Sequence, residues 1–214
     1  DVVISVNKTE EQKKTVAQKV QVLKASEIAA TQSQTTADVL SSTGNVFIQK
    51  SQQGGGSVGI RGFEANRVLM MIDGVRMNNI IYRGGHLQNV ITVDNAALDR
   101  IEVLFGPSST IYGSDALGGV VNFFTRNPDF ATEPGRQNTK VNAMARYGSV
   151  NNEFTGHADF NIGGTNLASF TSITYSMFDD LKGGENQNPF YTSSYGERPY
   201  YVERIDGKDS LVKN

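Results

Sequence analysis

Hydrophobic and polar positions change rhythm twice along the chain. Residues 1–8 (DVVISVNK) are dense in Val and Ile, the makeup of an extended segment. From 9 to 130, short apolar runs are interrupted by glycine turns. From about 138 onward, apolar and polar residues alternate, with many Ser, Thr, Asn and aromatic side chains.

The middle region predicts short elements of both kinds. Residues 19–24 (KVQVLK) alternate as a strand does. Ser26 is placed to N-cap a short helix from Glu27, and Thr35 or Thr36 to cap another through residues 37–41. Residues 46–49 predict a strand, 52–59 (QQGGGSVG) a flexible glycine segment, and 57–62 (SVGIRG) a strand running out of it. VLMMI (68–72) is a strand closed by the turn Asp73-Gly74. A brief helix at 95–99 precedes the strand IEVLF (101–105), which ends at Gly106-Pro107. GGVVNFFT (118–125) is closed by Asn127-Pro128. These elements describe a small mixed α+β domain with long loops.

The tail reads differently. Residues 140–148 place Val141, Ala143, Ala145 and Tyr147 on one face. Residues 152–163 place Phe154, Gly156, Ala158, Phe160 and Ile162 on one face, with Thr155, His157, Asp159 and Asn161 opposite. Residues 166–178 form a third segment of strand length. Each approaches the ~9–11 residues with which a tilted strand crosses a bilayer. Short turns at 149–151 and 163–165, with a long polar stretch after Phe178, predict short connections at one end and a long loop at the other. Three strands cannot close a barrel, so on this reading most of the barrel lies outside the 214 residues.

Composition narrows the class. The longest apolar run falls short of the ~20 residues of a spanning helix, which leaves a β-barrel open. A net charge of −2 gives no electrostatic case for nucleic acid. With no cysteine, neither a disulfide nor a thiolate metal site is available. Asp1 begins no signal-peptide pattern. A Gly-x-Ser-x-Gly elbow, a His-Glu-x-x-His pair and a phosphate-binding loop are all missing, so no enzyme is expected.

Three blocks carry a resemblance: Ile60-Arg61-Gly62-Phe63, then VLMMIDGVRMN (68–78), then LDRIEVLFGPSSTIYGSDALGGVVNFFT (98–125). In sequence and spacing they resemble the plug of TonB-dependent receptors over about residues 1–130. The resemblance implies an α+β plug filling an antiparallel transmembrane β-barrel of 22 strands, in the outer membrane of a Gram-negative bacterium. It divides the chain into a Ton box and linker (1–14), the plug (15–130), and the first three barrel strands with an extracellular loop (138–214). It implies TonB, with its inner-membrane energising complex, and outer-membrane lipid as partners. A surface lipoprotein or a haem-protein donor is a further expected partner, and nucleic acid is not.

Particular residues follow from the resemblance. Asp1, Val2, Val3, Ile4, Ser5 and Val6 resemble the Ton box, a Val/Ile stretch able to add a strand to an exposed sheet edge. The family's Arg-Gly-Pro is here Phe105-Gly106-Pro107, which removes one arginine of the usual plug–barrel pairing. Arg61, with Arg100 and Glu102, is the expected pairing set. The loop Tyr82-Arg83-Gly84-Gly85-His86-Leu87 lies where plug loops reach the outer binding site and resembles haem-uptake members. His86 is the expected ligand of a haem iron, with Tyr82 and Arg83 beside it. Haem is expected as cargo rather than as a resident cofactor. Cobalamin or an iron–siderophore remains an alternative, and a soluble plug-like binding or signalling module is the alternative of another class.

Overall fold

The computed structural model describes residues 2–52, 55–77, 93–179 and 200–213. Two short strands open the chain, β1 (Val2–Val3) and β2 (Glu11–Gln12), paired antiparallel with Val2 opposite Gln12. β3 (Val20–Lys24) runs into α1 (Ala25–Ala30), and α2 (Thr36–Ser42) precedes β4 (Phe47–Gln52) and β5 (Gly55–Gly59). β6 (Val68–Ile72) and β7 (Val75–Arg76) form a hairpin, and β8 (Leu98–Phe105), α3 (Ser109–Tyr112) and β9 (Gly119–Thr125) complete the first part.

Five of these strands form one sheet in the order β3-β8-β9-β6-β7, antiparallel except where β6 runs beside β9. Successive side chains of a strand point to opposite faces, and both faces here are covered. Val68, Met70, Ile101, Val103, Val121 and Phe123 pack on one side with Ile28 of α1 and Val39 and Leu40 of α2. Leu69, Met71, Leu104 and Val120 pack on the other with Val3, Val6, Tyr112 and Ala116. Double coverage is why β6 reads as an unbroken apolar run. Each large side chain buried there contributes about 1.5–3 kcal/mol.

Local chemistry sets the ends of the elements. Asp73 and Gly74 have φ of 48° and 81°, the two positive values a tight hairpin of this hand needs. The Asp73 carboxylate accepts from the backbone N–H (2.9 Å) and the hydroxyl (2.7 Å) of Thr125, tying that turn to the end of β9. α2 starts from Thr35, whose hydroxyl accepts the Asp38 N–H while the Asp38 carboxylate reaches back to Thr35. Burial pushes the Asp38 carboxyl up, but hydrogen bonds from Lys50 and Thr35 outweigh it and hold the group below the usual carboxylate range. α1 begins earlier than expected. Glu27 accepts from the Lys24 N–H at 2.8 Å, so Lys24 rather than Ser26 is the N-cap. The segment expected to be flexible between 52 and 59 is largely the β4–β5 hairpin.

The tail forms a second sheet, β10 (Asn138–Gly148), β11 (Glu153–Gly163) and β12 (Ala168–Met177), antiparallel and in sequence order. Its register sets Val141 opposite Phe160 and Ala158 opposite Ile173. Phe154, Phe160 and Ile162 face outward, while Glu153, Thr155, His157, Asp159 and Asn161 are buried against the first part. Strands of 11, 11 and 10 residues with an apolar outer face are those of a bilayer-crossing barrel wall.

Two tail expectations are corrected. The Asp179 N–H donates to Asn151 O at 2.8 Å, so the short turn after β10 sits at the same end as the long stretch after β12. Consecutive antiparallel turns must alternate ends, so the two short turns cannot share one. Within the region expected as loop, β13 (Tyr200–Ile205) and β14 (Lys208–Lys213) pair around Asp206-Gly207. That Asp-Gly pair, with φ of 50° and 76°, was the available hairpin signal.

Candidate functional site

The N-terminal segment is folded down onto the sheet. Val3 and Ser5 have no accessible surface and Val6 has little, while Val2 is half exposed. Val3 and Val6 fill an apolar floor made by Leu69, Leu104 and Val120. Beyond Val3 the backbone turns, and the N–H groups of Ile4 (3.0 Å) and Ser5 (2.9 Å) both donate to Oε2 of Glu102. Tyr112 donates its hydroxyl proton to Ser5 O at 2.7 Å, and Asn122 Nδ2 donates to Ser5 Oγ at 3.3 Å. Burial pushes the Tyr112 hydroxyl above its usual pKa and the negative Glu102 adds to it, so Tyr112 holds its proton.

Glu102 and Arg100 share the face of β8 that carries this segment. Arg100 Nε donates to Glu102 Oε1 at 2.9 Å, its NH1 meets Asp99 at 3.0 Å, and its guanidinium lies 4.0 Å from the Phe124 ring centroid. Of the expected pairing set, Glu102 therefore turns inward. It is fully buried, and both its oxygens are occupied within the plug. Arg61 lies on an exposed turn with φ of 51° and stacks over Phe105 at 5.9 Å. Tyr112 and Asn122 escaped sequence reasoning. A lone Glu in IEVLF and a lone Asn in GGVVNFF were the available signals, since a buried polar side chain in an apolar strand needs a partner.

The plug meets the barrel strands along a polar seam. Arg126 NH1 pairs with Asp159 at 3.2 Å, and the Asp129 carboxylate pairs with Lys140 at 2.7 Å. Higher up, Arg146 NH1 donates to Ser33 O at 2.8 Å and Gln34 to Asn151 at 3.1 Å. Thr174 donates its hydroxyl to Asp94 at 2.6 Å, and on the plug side of the seam Thr36 donates to Val93 O at 2.5 Å. A cavity of about 270 Å³ lies in this seam, with Ile28 and Ala29 on one wall and Asn142, Arg146, His157 and Asp159 on the other. His157 is held between Thr174 (2.6 Å) and Asp159 (3.2 Å) on the inner face of β11. Among the described residues no cluster of three or more His, Asp or Glu is placed to hold a metal. Asp1 and the expected cargo residues Tyr82, Arg83 and His86 lie outside the described residues.

Comparison with known proteins matches this geometry. The family model described as TonB-dependent Receptor Plug Domain matches residues 12–120. A vitamin B12 transporter of Vibrio vulnificus (strain CMCP6) is 39% identical over 132 residues, covering 60% of this chain and 21% of that protein. Among solved structures, a pyoverdine outer membrane receptor of Pseudomonas aeruginosa bound to pyoverdine superposes with TM-score 0.65 at 18% identity, over 82% of this chain and 24% of that one. A copper transporter superposes with TM-score 0.62 at 21% identity, over 75% of this chain and 24% of that one. The chain thus spans about a fifth of the length of the curated relatives it matches.

Proposed function

The chain belongs to the TonB-dependent receptor plug family and resides in the outer membrane of a Gram-negative bacterium, and from that premise we propose that it gates the active import of a scarce nutrient. The observation that carries the reading is the stowed N-terminal segment, an apolar strand-former kept on the plug by Glu102, Tyr112 and Asn122. Cargo binds plug loops and barrel wall on the outer side. It must bind the closed and open states unequally, or it shifts nothing. In the open state residues 2–6 leave the sheet, the segment from Asp1 pairs with TonB through main-chain hydrogen bonds, and the work TonB delivers moves part of the plug. Deletion of residues 1–6 is expected to leave cargo binding intact and abolish uptake. Normal uptake by that deletion sinks the reading.

For the cargo, haem or another iron complex is the reading carried by His86, whose imidazole suits an axial iron site and whose flanking glycines let a loop approach a flat macrocycle. The likeness to a vitamin B12 transporter supports cobalamin as the second reading. Titration with haemin separates them. A Soret shift that weakens in His86→Ala is expected for haem, whereas an unchanged spectrum alongside saturable cyanocobalamin binding moves the assignment to cobalamin.

A further inference from the structure

An extended peptide that adds to a sheet edge must present alternate N–H groups along one side. Residues 4 and 5 do not. Their consecutive N–H groups converge on a single oxygen of Glu102 because the backbone turns after β1. While that contact holds, residues 4 and 5 offer no strand edge. We propose that Glu102 is the latch of an autoinhibitory contact, setting how often the N-terminal segment is available to a strand-pairing partner. The proposal rests on reading residues 1–6 as the TonB-binding segment.

Three features suit Glu102 to this role. Its carboxylate is held in place from behind by Arg100, which is itself stacked on Phe124. A buried carboxylate accepting two N–H groups binds them more strongly than a neutral acceptor would. Its position on β8 also joins it to the seam between plug and wall. Residues 93–97 lead directly into β8, and they are tied to the plug helix by Thr36 and to the barrel wall by Thr174. Glu102 lies five residues past that segment on the same strand. Strands rise ~3.3 Å per residue, and a hydrogen bond is lost beyond roughly 3.5 Å. A slip of β8 by a fraction of one residue therefore pulls the carboxylate off Ile4 and Ser5.

These 214 residues hold no cysteine, so an introduced thiol is the only one within them. Val3→Cys places the reporter at a position without accessible surface, and Ala116→Cys places a control in the same apolar cluster. In the receptor that carries this chain, adding Glu102→Gln is expected to speed maleimide labelling at position 3 by roughly tenfold or more, since bonds to a charged acceptor are lost. Position 116 should stay protected, and capture of the periplasmic domain of TonB should rise. Should position 116 open as well, Tyr112→Phe decides the matter. It removes only the bond to Ser5 O and should raise labelling at position 3 by a smaller factor with position 116 silent. Unchanged labelling at position 3 in Glu102→Gln overturns the latch, whatever Tyr112→Phe does. Faster labelling without added TonB capture keeps the latch and overturns the reading of residues 1–6.

Discussion

A single methyl group at position 118 would fall inside another side chain. The Cβ of an alanine there would lie 2.3 Å from Phe63 Cβ and 3.3 Å from Arg67 O, just before β9 begins. Gly118→Ala is therefore expected to cost about 1–3 kcal/mol, the cost of overpacking. Gly44→Ala, with open space around it and only its φ of 70° to object, should cost less. Urea-dependent protease protection of the plug measures both, and equal losses would show that crowding at 118 is relieved. At this scale the sequence was only half legible. That Glu102 and Asn122 were polar intrusions into apolar strands is visible in the strings IEVLF and VVNFF. That both serve Ser5 is not, because their partner lies about a hundred residues away and local patterns carry no information at that distance.

Among elements, β11 shows what period-two alternation fixes. Its outward set, Phe154, Ala158, Phe160 and Ile162, is the one its alternation assigns to one face. A one-residue slip would place Glu153 and Asp159 in lipid, so the register is strongly specified. Ala158, opposite Ala143 and Ile173 at mid-strand, should tolerate a charge poorly: Ala158→Arg is expected to cost about 2–4 kcal/mol. Ile162→Arg, near the strand end, should cost roughly 0–1 kcal/mol. Refolding of the receptor into vesicles at graded urea tests the contrast, and equal costs would remove the bilayer from the account. β13 and β14 were less legible, because YYVERI and KDSLVK mix charges into both faces and leave only the Asp-Gly turn as a signal. The start of α1 was misplaced for a related reason: a lysine N-cap carries no side-chain signature, and only Glu27 reaching back reveals it.

At the scale of the whole molecule, plug and wall are joined among the described residues by polar contacts rather than by a shared apolar core. Arg126 with Asp159, Asp129 with Asn161 and Arg146 with Ser33 line the seam. At Gly163 the approach is closest, since a Cβ there would lie 2.0 Å from Asp129 O. Such a seam can part and re-form, because water replaces its hydrogen bonds as a separated apolar interface cannot be replaced. Arg126→Ala leaves a buried Asp159 without its cation and is expected to weaken plug retention by about 1–3 kcal/mol. Release of the plug to protease at lower urea, with the barrel's resistance to detergent unchanged, is the expected result. An unaltered midpoint would assign retention to the other contacts. The two-part organisation was legible from the change of rhythm near residue 138, but the pairing of Arg126 with Asp159 was not, since it depends on how two separately periodic sheets meet.

The strand order also bears on how such a chain is made. β9, the centre of the plug sheet, is its last strand in sequence, and β8 and β6 have no common neighbour until it arrives. Nor can Ser5 and its neighbours be seated before Tyr112 and Asn122 exist to receive them. A chain emerging N-terminus first therefore carries most of the gate as unclosed pieces, and closure by distant pairings is intrinsically slow. Thr125 is followed within a short linker by Asn138, where the wall begins. The gate's sheet therefore closes only when its last strand arrives, shortly before the first strand of the wall.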